Sequence, residues 1–233
     1  MPNSEKFKPT YVLIAINVVV YVYTSVIGGN FLETNYNLIF QYGQVGSLVF
    51  AGSYYQVLTS MFVHASIVHI AGNMIFLLVF GLRGEEMFSL PEYLLIYFAG
   101  GLTGNLLSLI PIFLDPAIPS VGASGAIFAM FGAAIIHTRR TVGQSVIGAL
   151  IYAFFLLFLS AAPGVNNFAH IGGLVIGLLI GYVLGARRKP STKYTVRYSY
   201  STPFGLISSG YDFHFHLVPV FKIEVFSEVD GRD

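Results

Sequence analysis

Apolar residues run in long blocks along this chain, and the polar breaks between the blocks predict six membrane-crossing helices. Windows free of Asp, Glu, Lys and Arg extend over residues 11–32, 34–82, 93–114, 116–138 and 141–186. Each exceeds the roughly 20 residues that cross a hydrocarbon core of ~30 Å, and two are long enough for more than one segment. Turn residues subdivide them. Gly28-Gly29-Asn30 closes a first helix at 11–28, and Gly84-Glu85-Glu86 with Pro91 separates a second at 57–82 from a third at 93–111. Pro111, Pro116 and Pro119 precede a fourth at 122–138, while Thr141-Val142-Gly143 and Ala162-Pro163-Gly164 bound a fifth at 144–161 and a sixth at 168–186. Segment 29–56 is apolar and aromatic, with Tyr36, Phe40, Tyr42, Phe50, Tyr54 and Tyr55, but glycines and serines interrupt it. It reads as an irregular loop lying in the membrane interface.

Composition supports the pattern. The chain of 233 residues is 55% hydrophobic and only 10% charged, against roughly 25% charged in an ordinary soluble domain. Three charges precede Tyr11, twelve follow Ala186, and eight are spread between. Three parts follow: a cytoplasmic segment 1–10, a membrane domain 11–186 and a cytoplasmic tail 187–233. With the N-terminus inside, Lys6, Lys8, Arg83, Arg139, Arg140, Arg187, Arg188, Lys189, Lys193, Arg197, Lys222 and Arg232 all fall on the cytoplasmic side. The positive-inside rule therefore places a six-crossing protein in the cell membrane with both termini cytoplasmic. The first segment is too long for a signal-peptide core, and no small-x-small cleavage site follows it. A net charge of +1 offers no basic surface for nucleic acid. Absence of cysteine excludes disulfides, thiol catalysis and cysteine metal sites. The tail mixes aromatic, His and β-branched residues and predicts a small β-rich appendage. His214 and His216 read as surface histidines, since no cysteine or suitably spaced carboxylate joins them in a metal site.

Polar groups at membrane depth are costly and so carry the functional signal. The second predicted helix contains His64, His69 and Asn73, the fourth opens with Gly122-Ala123-Ser124-Gly125, and the sixth carries His170 before Gly172-Gly173. His69 and Asn73, four residues apart, share one helical face. Ser124 and His170 supply a nucleophile and a base if their helices touch. Gly173, Gly177, Gly181 and Gly185 form a small-xxx-small ridge that permits close approach, and Gly125, Ala129 and Ala133 repeat with the same period. His64 fits either a further oxyanion neighbour or a polar brace for the first loop. His137 falls at a cytoplasmic helix end, where the helix dipole accounts for it. A metalloprotease would need an acid beside the histidines, as in His-Glu-x-x-His, and 69–73 has none. A transporter would need ionisable acids or bases inside the spans.

His64-Ala65-Ser66-Ile67-Val68-His69-Ile70-Ala71-Gly72-Asn73, Gly122-Ala123-Ser124-Gly125 and His170-Ile171-Gly172-Gly173 resemble the three signatures of rhomboid intramembrane serine proteases, in the family's order. The likeness extends over about residues 11–186. It implies an all-α polytopic membrane protein, a six-transmembrane-helix rhomboid-like bundle with a short cytoplasmic tail. It further implies a Ser-His dyad without a third acid, with Ser124 as nucleophile and His170 as base. His69, Asn73, Gly122 and the Ser124 amide would form the oxyanion and substrate-binding site. Neither metal nor cofactor is implied. The partners would be transmembrane protein substrates in the lipid bilayer, cut near their outer ends; the alternative within the family is an inactive rhomboid-like binding protein. Three departures or correspondences bear on this. Tyr55-Gln56 stands where many members carry Trp-Arg in the first loop, Phe128 replaces a frequent Tyr one turn after the nucleophile, and Glu85 resembles an acid that braces the loop below the second helix.

Overall fold

The computed structural model describes residues 8–110, 119–142, 145–159 and 166–187, with four short strands between 194 and 215. Its helices are α1 (Pro9–Gly28), α2 (Tyr36–Tyr42), α3 (Gly46–Phe50), α4 (Gln56–Thr59), α5 (Ile67–Met87), α6 (Leu90–Leu107), α7 (Ser124–Thr141), α8 (Val146–Leu159) and α9 (Asn167–Arg187). Residues Met1–Lys189 form one compact unit and Pro190–Asp233 another. In the second unit β1 (Tyr194–Thr195) pairs antiparallel with β4 (His214–Phe215), and β2 (Tyr200–Thr202) with β3 (Gly205–Ile207). Pro111, Pro116, Gly143, Ala162-Pro163-Gly164 and His216 lie outside the described residues.

Among the described helices, α1, α5 and α9 are long and apolar enough to cross a membrane, and α8 is a shorter apolar helix. Large apolar side chains such as Val19, Val68 and Phe154 stand exposed on these helices, a surface suited to lipid rather than water.

Local chemistry sets the helix ends, and it moves several predicted boundaries. Pro9 occupies the first turn of α1, where a missing N–H costs nothing, and Gly29 closes the helix with φ 70°. The second predicted helix does not begin at 57. A four-residue helical turn, α4, is followed by a further turn at 60–62 and irregular chain up to Ser66, whose hydroxyl accepts from the His69 amide at 3.2 Å and caps α5. His64 therefore precedes the helix. Pro91 does not divide helices but lies in the first turn of α6, where the Glu92 carboxylate accepts from both the amide and hydroxyl of Ser89 at 2.8 and 2.9 Å. The first loop is also more regular than expected, since it contains α2 and α3. Asn35 caps α2 by accepting from the Asn37 amide.

α7 sits at the centre, packed against α5, α6, α8 and α9. Ala126, Ala129, Met130 and Ala133 on it are fully buried. The glycine ridge of α9 faces it directly: a methyl group at Gly173, Gly177 or Gly181 would overlap the carbonyl of Gly125, Ala129 or Ala133, respectively. Gly172 abuts the Gly104 backbone on α6. The two small-residue rows thus bring the starts of α7 and α9 into contact.

Polar side chains hold the first loop without the Trp-Arg pair. Gln56 accepts from the Val45 amide at 3.0 Å and donates to the Phe40 and Gln41 carbonyls at 3.0 and 3.2 Å. Tyr55 donates its hydroxyl to the Gln41 carbonyl at 3.1 Å. Glu85 accepts from the Thr10 amide at 2.9 Å. This contact satisfies an orphan donor in the first turn of α1, so the acid ties α5 to α1.

Candidate active site

Ser124 opens α7 and His170 lies in the first turn of α9, so the packed ridge brings their side chains together. His170 Nε2 stands 2.9 Å from Ser124 Oγ. The imidazole is buried and stacks on Phe128, with ring centroids 4.4 Å apart and planes inclined by 19°. A buried ring packed face to face has few rotamers open to it. Phe128 therefore orients the histidine without the hydroxyl that a tyrosine would add.

Gly122 precedes the serine with φ 120°, a conformation that disfavours residues bearing a Cβ. A Cβ there would also lie 2.9 Å from His69 Nε2. The Gly122 amide donates to the Ser60 carbonyl at 2.9 Å. His69 Nδ1 accepts from the Ala65 amide at 3.4 Å, which leaves the ring proton on Nε2, facing Gly122. One turn along α5, Asn73 Nδ2 donates to the His69 carbonyl at 3.0 Å, with its second proton still available for another acceptor.

His69, Asn73, Ser124 and His170 line a single cavity of about 530 Å³, whose other walls include Phe76, Phe80 and Leu156. A serine hydroxyl, an imidazole and two side-chain donors therefore converge in an otherwise apolar cleft, where each electrostatic contact is stronger than in water. The arrangement suits attack on a carbonyl carbon with stabilisation of the oxyanion that forms. Among the described residues no group of three His, Asp or Glu side chains converges to hold a metal.

His64 is buried just outside this cavity. Its Nδ1 lies 3.3 Å from the Phe62 carbonyl, its own carbonyl accepts from the Thr34 hydroxyl at 2.6 Å, and its ring meets His69 edge-on at 5.2 Å. These contacts join the first loop to the edge of the site. Burial first, and His69 second, push its pKa down from 6.5 to about 3. His137 takes no part: it is near the far end of α7, edge-on to Phe88.

Sequence reasoning passed over two buried polar residues, Gln44 and Asn105. The available signal was Asn105 itself, an amide inside an apolar helix.

Residues 51–187, more than half of the chain, match the model of the Rhomboid domain. Over 136 residues the chain is 38% identical to RHOMBOID-like protein 6, mitochondrial, of Arabidopsis thaliana, covering 56% of this chain and 43% of the relative. It is 34% identical over 184 residues to Rhomboid protease GluP of Bacillus subtilis (strain 168), covering 76% of this chain and 34% of that protein. RHOMBOID-like protein 2 of Arabidopsis thaliana is 40% identical over 139 residues, which are 57% of this chain and 43% of the relative. The chain thus spans less than half the length of these relatives.

Proposed function

The chain belongs to the rhomboid family, and on that premise we propose that it is an intramembrane serine endopeptidase acting on transmembrane proteins. The single observation that carries this reading is the 2.9 Å contact between Ser124 Oγ and His170 Nε2 at the wall of an apolar cleft. Ser124 Oγ attacks the substrate carbonyl carbon as its proton passes to His170 Nε2. The carbonyl oxygen becomes an oxyanion beside the donors of His69 and Asn73 and the Ser124 amide, next to Gly122, which has no side chain to crowd it and whose own amide is bonded to Ser60. His170 then protonates the departing amine, which leaves an acyl ester on Ser124. Water enters, His170 removes its proton, and the ester is hydrolysed to a carboxylic acid and free serine. No cofactor takes part. Without a third acid, ring stacking on Phe128 orients the base.

In this reading α1, α5, α6, α7, α8 and α9 are the six crossings. Lys8 at the start of α1, Arg83 in the last turns of α5, Arg139 and Arg140 at the end of α7, and Arg187 ending α9 share the cytoplasmic side. The chain sits in the cell membrane with both termini in the cytoplasm. Ser124 and His170 begin their helices at the opposite, outer side, so substrates are cut near their outer ends. A substrate helix must unwind to expose a peptide bond there, which favours small or helix-breaking residues at the cut.

Reconstitution with a panel of single-span substrates tests the reading. Wild type should cleave, and Ser124→Ala and His170→Ala should each abolish cleavage while remaining inserted. Wild-type rates in either variant contradict it. A wild-type protein that binds these substrates and cuts none would instead be an inactive rhomboid-like binding protein.

A further inference from the structure

Asn105 lies in the last turn of α6, a helix that contributes no residue to the catalytic cavity. It is only 6% exposed. A buried primary amide is costly unless its donors are used. Here Nδ2 donates to the Val57 carbonyl at 2.7 Å and to Ser60 Oγ at 2.9 Å. The main-chain carbonyl of Asn105 accepts from Gln44 Nε2 at 2.7 Å and from the Ser108 hydroxyl at 2.7 Å.

Both arms of this network end on the approach to the candidate nucleophile. Ser60, held by Asn105, accepts the Gly122 amide through its carbonyl at 2.9 Å. Gln44, held by the Asn105 carbonyl, exchanges two backbone hydrogen bonds with Ser120 at 2.9 and 2.8 Å. Gly122, with φ 120°, has no side chain to fix its conformation, so these bonds hold the turn that presents Ser124 and faces His69 Nε2.

We infer that Asn105 is a positioning residue of the proteolytic reaction: through Ser60 it holds the Gly122-Ala123-Ser124 turn in register with the oxyanion donors. This rests on the protease reading above. Asn105 touches no reacting atom. Its loss frees Ser60, and a shift of ~1 Å at such a site can cost about 100-fold in rate.

The test compares Asn105→Ala, Asn105→Leu and Ser60→Ala with wild type in liposomes. The measurements are kcat, KM, thermal midpoint and the rate at which a serine-directed phosphonate labels Ser124. Leucine restores the volume of asparagine without its donors, and Ser60→Ala removes only the hydroxyl acceptor while keeping the carbonyl that holds Gly122. The expected result is a fall of about tenfold or more in kcat and labelling rate for both Asn105 variants, with KM within about twofold. Ser60→Ala should fall less, in the same pattern. In an Asn73→Ala background the Asn105→Ala loss should shrink, since both act on one oxyanion site.

Wild-type kcat in Asn105→Leu, or labelling per folded molecule unchanged with only a lower thermal midpoint, would overturn the inference and leave the protease reading intact. Should the Asn105 variants fail to insert, Ser60→Ala decides alone: wild-type kcat and labelling there overturn the inference. A wild type that neither cleaves nor labels refutes the protease reading, and this inference falls with it.

Discussion

Replacing Gly173 with alanine links helix packing to catalysis most directly. Gly173 lies three residues after His170, and its neighbour across the interface is the carbonyl of Gly125, the residue after Ser124. A methyl group there overlaps that oxygen; the Cβ is fixed by its own backbone and its partner is a backbone carbonyl, so no side-chain rotation relieves the contact. The helices must separate by on the order of 1 Å, a displacement that can cost about 100-fold in rate. Added to the 2.9 Å between Ser124 Oγ and His170 Nε2, it carries the pair beyond the ~3.2 Å limit for direct proton transfer. Gly185 is the control on the same ridge. Its nearest neighbours are Arg140 Cβ and Cδ, both at 3.3 Å, which need give by only a few tenths of an ångström and lie at the far end of the helix from the dyad, so Gly185→Ala should change turnover little. Overpacking also destabilises, typically by about 1–3 kcal/mol. Thermal midpoints must therefore be measured for both variants and turnover normalised to folded enzyme. Equal turnover in folded Gly173→Ala and Gly185→Ala would refute the claim that this ridge sets the Ser124–His170 distance.

Other perturbations separate the remaining roles. Asn73→Ala should lower kcat by roughly 100-fold or more with little change in KM, because an oxyanion donor acts mainly in the transition state; a change confined to KM would argue against that role. His64 is held neutral when folded, with a pKa pushed from 6.5 to about 3, whereas in the unfolded chain it takes a proton below ~6.5. Its contribution to stability is thus fully present above the unfolded value and is lost as pH falls through that window. The thermal midpoint should decline from pH 6.5 towards 4, and the decline should be shallower in His64→Gln; identical slopes would contradict this. Deleting residues 190–233 should leave cleavage in detergent intact, because no residue of the candidate site lies there. Inactivation of a still folded truncation would count against it.

The candidate site was legible because desolvation makes polar side chains rare in apolar segments, so Ser124, His69, Asn73 and His170, which line one cavity, stood out. The four-residue glycine period also identified which helices meet. Boundaries were less legible. Hydropathy cannot distinguish residues 57–66 from the helix that follows them, whereas the Ser66 cap fixes where α5 begins. Pro91 read as a break because a proline looks alike between helices and in a first turn; the Ser89–Glu92 contact decides between them. Least legible was the network around Asn105, whose partners lie 45 and 48 residues away in the chain. No local pattern encodes contacts of that range. They exist only once α6 is packed beneath the first loop.

The proposed proteolysis requires Ser124, activated by His170, to be a nucleophile. Intact-mass analysis after treatment with a serine-directed fluorophosphonate tests it most directly. The expected result is one adduct per folded wild-type chain, mapped by peptide sequencing to Ser124, with none in Ser124→Ala and strongly slowed labelling in His170→Ala. Folded wild-type protein that acquires no adduct, or labelling that persists in Ser124→Ala, would contradict it.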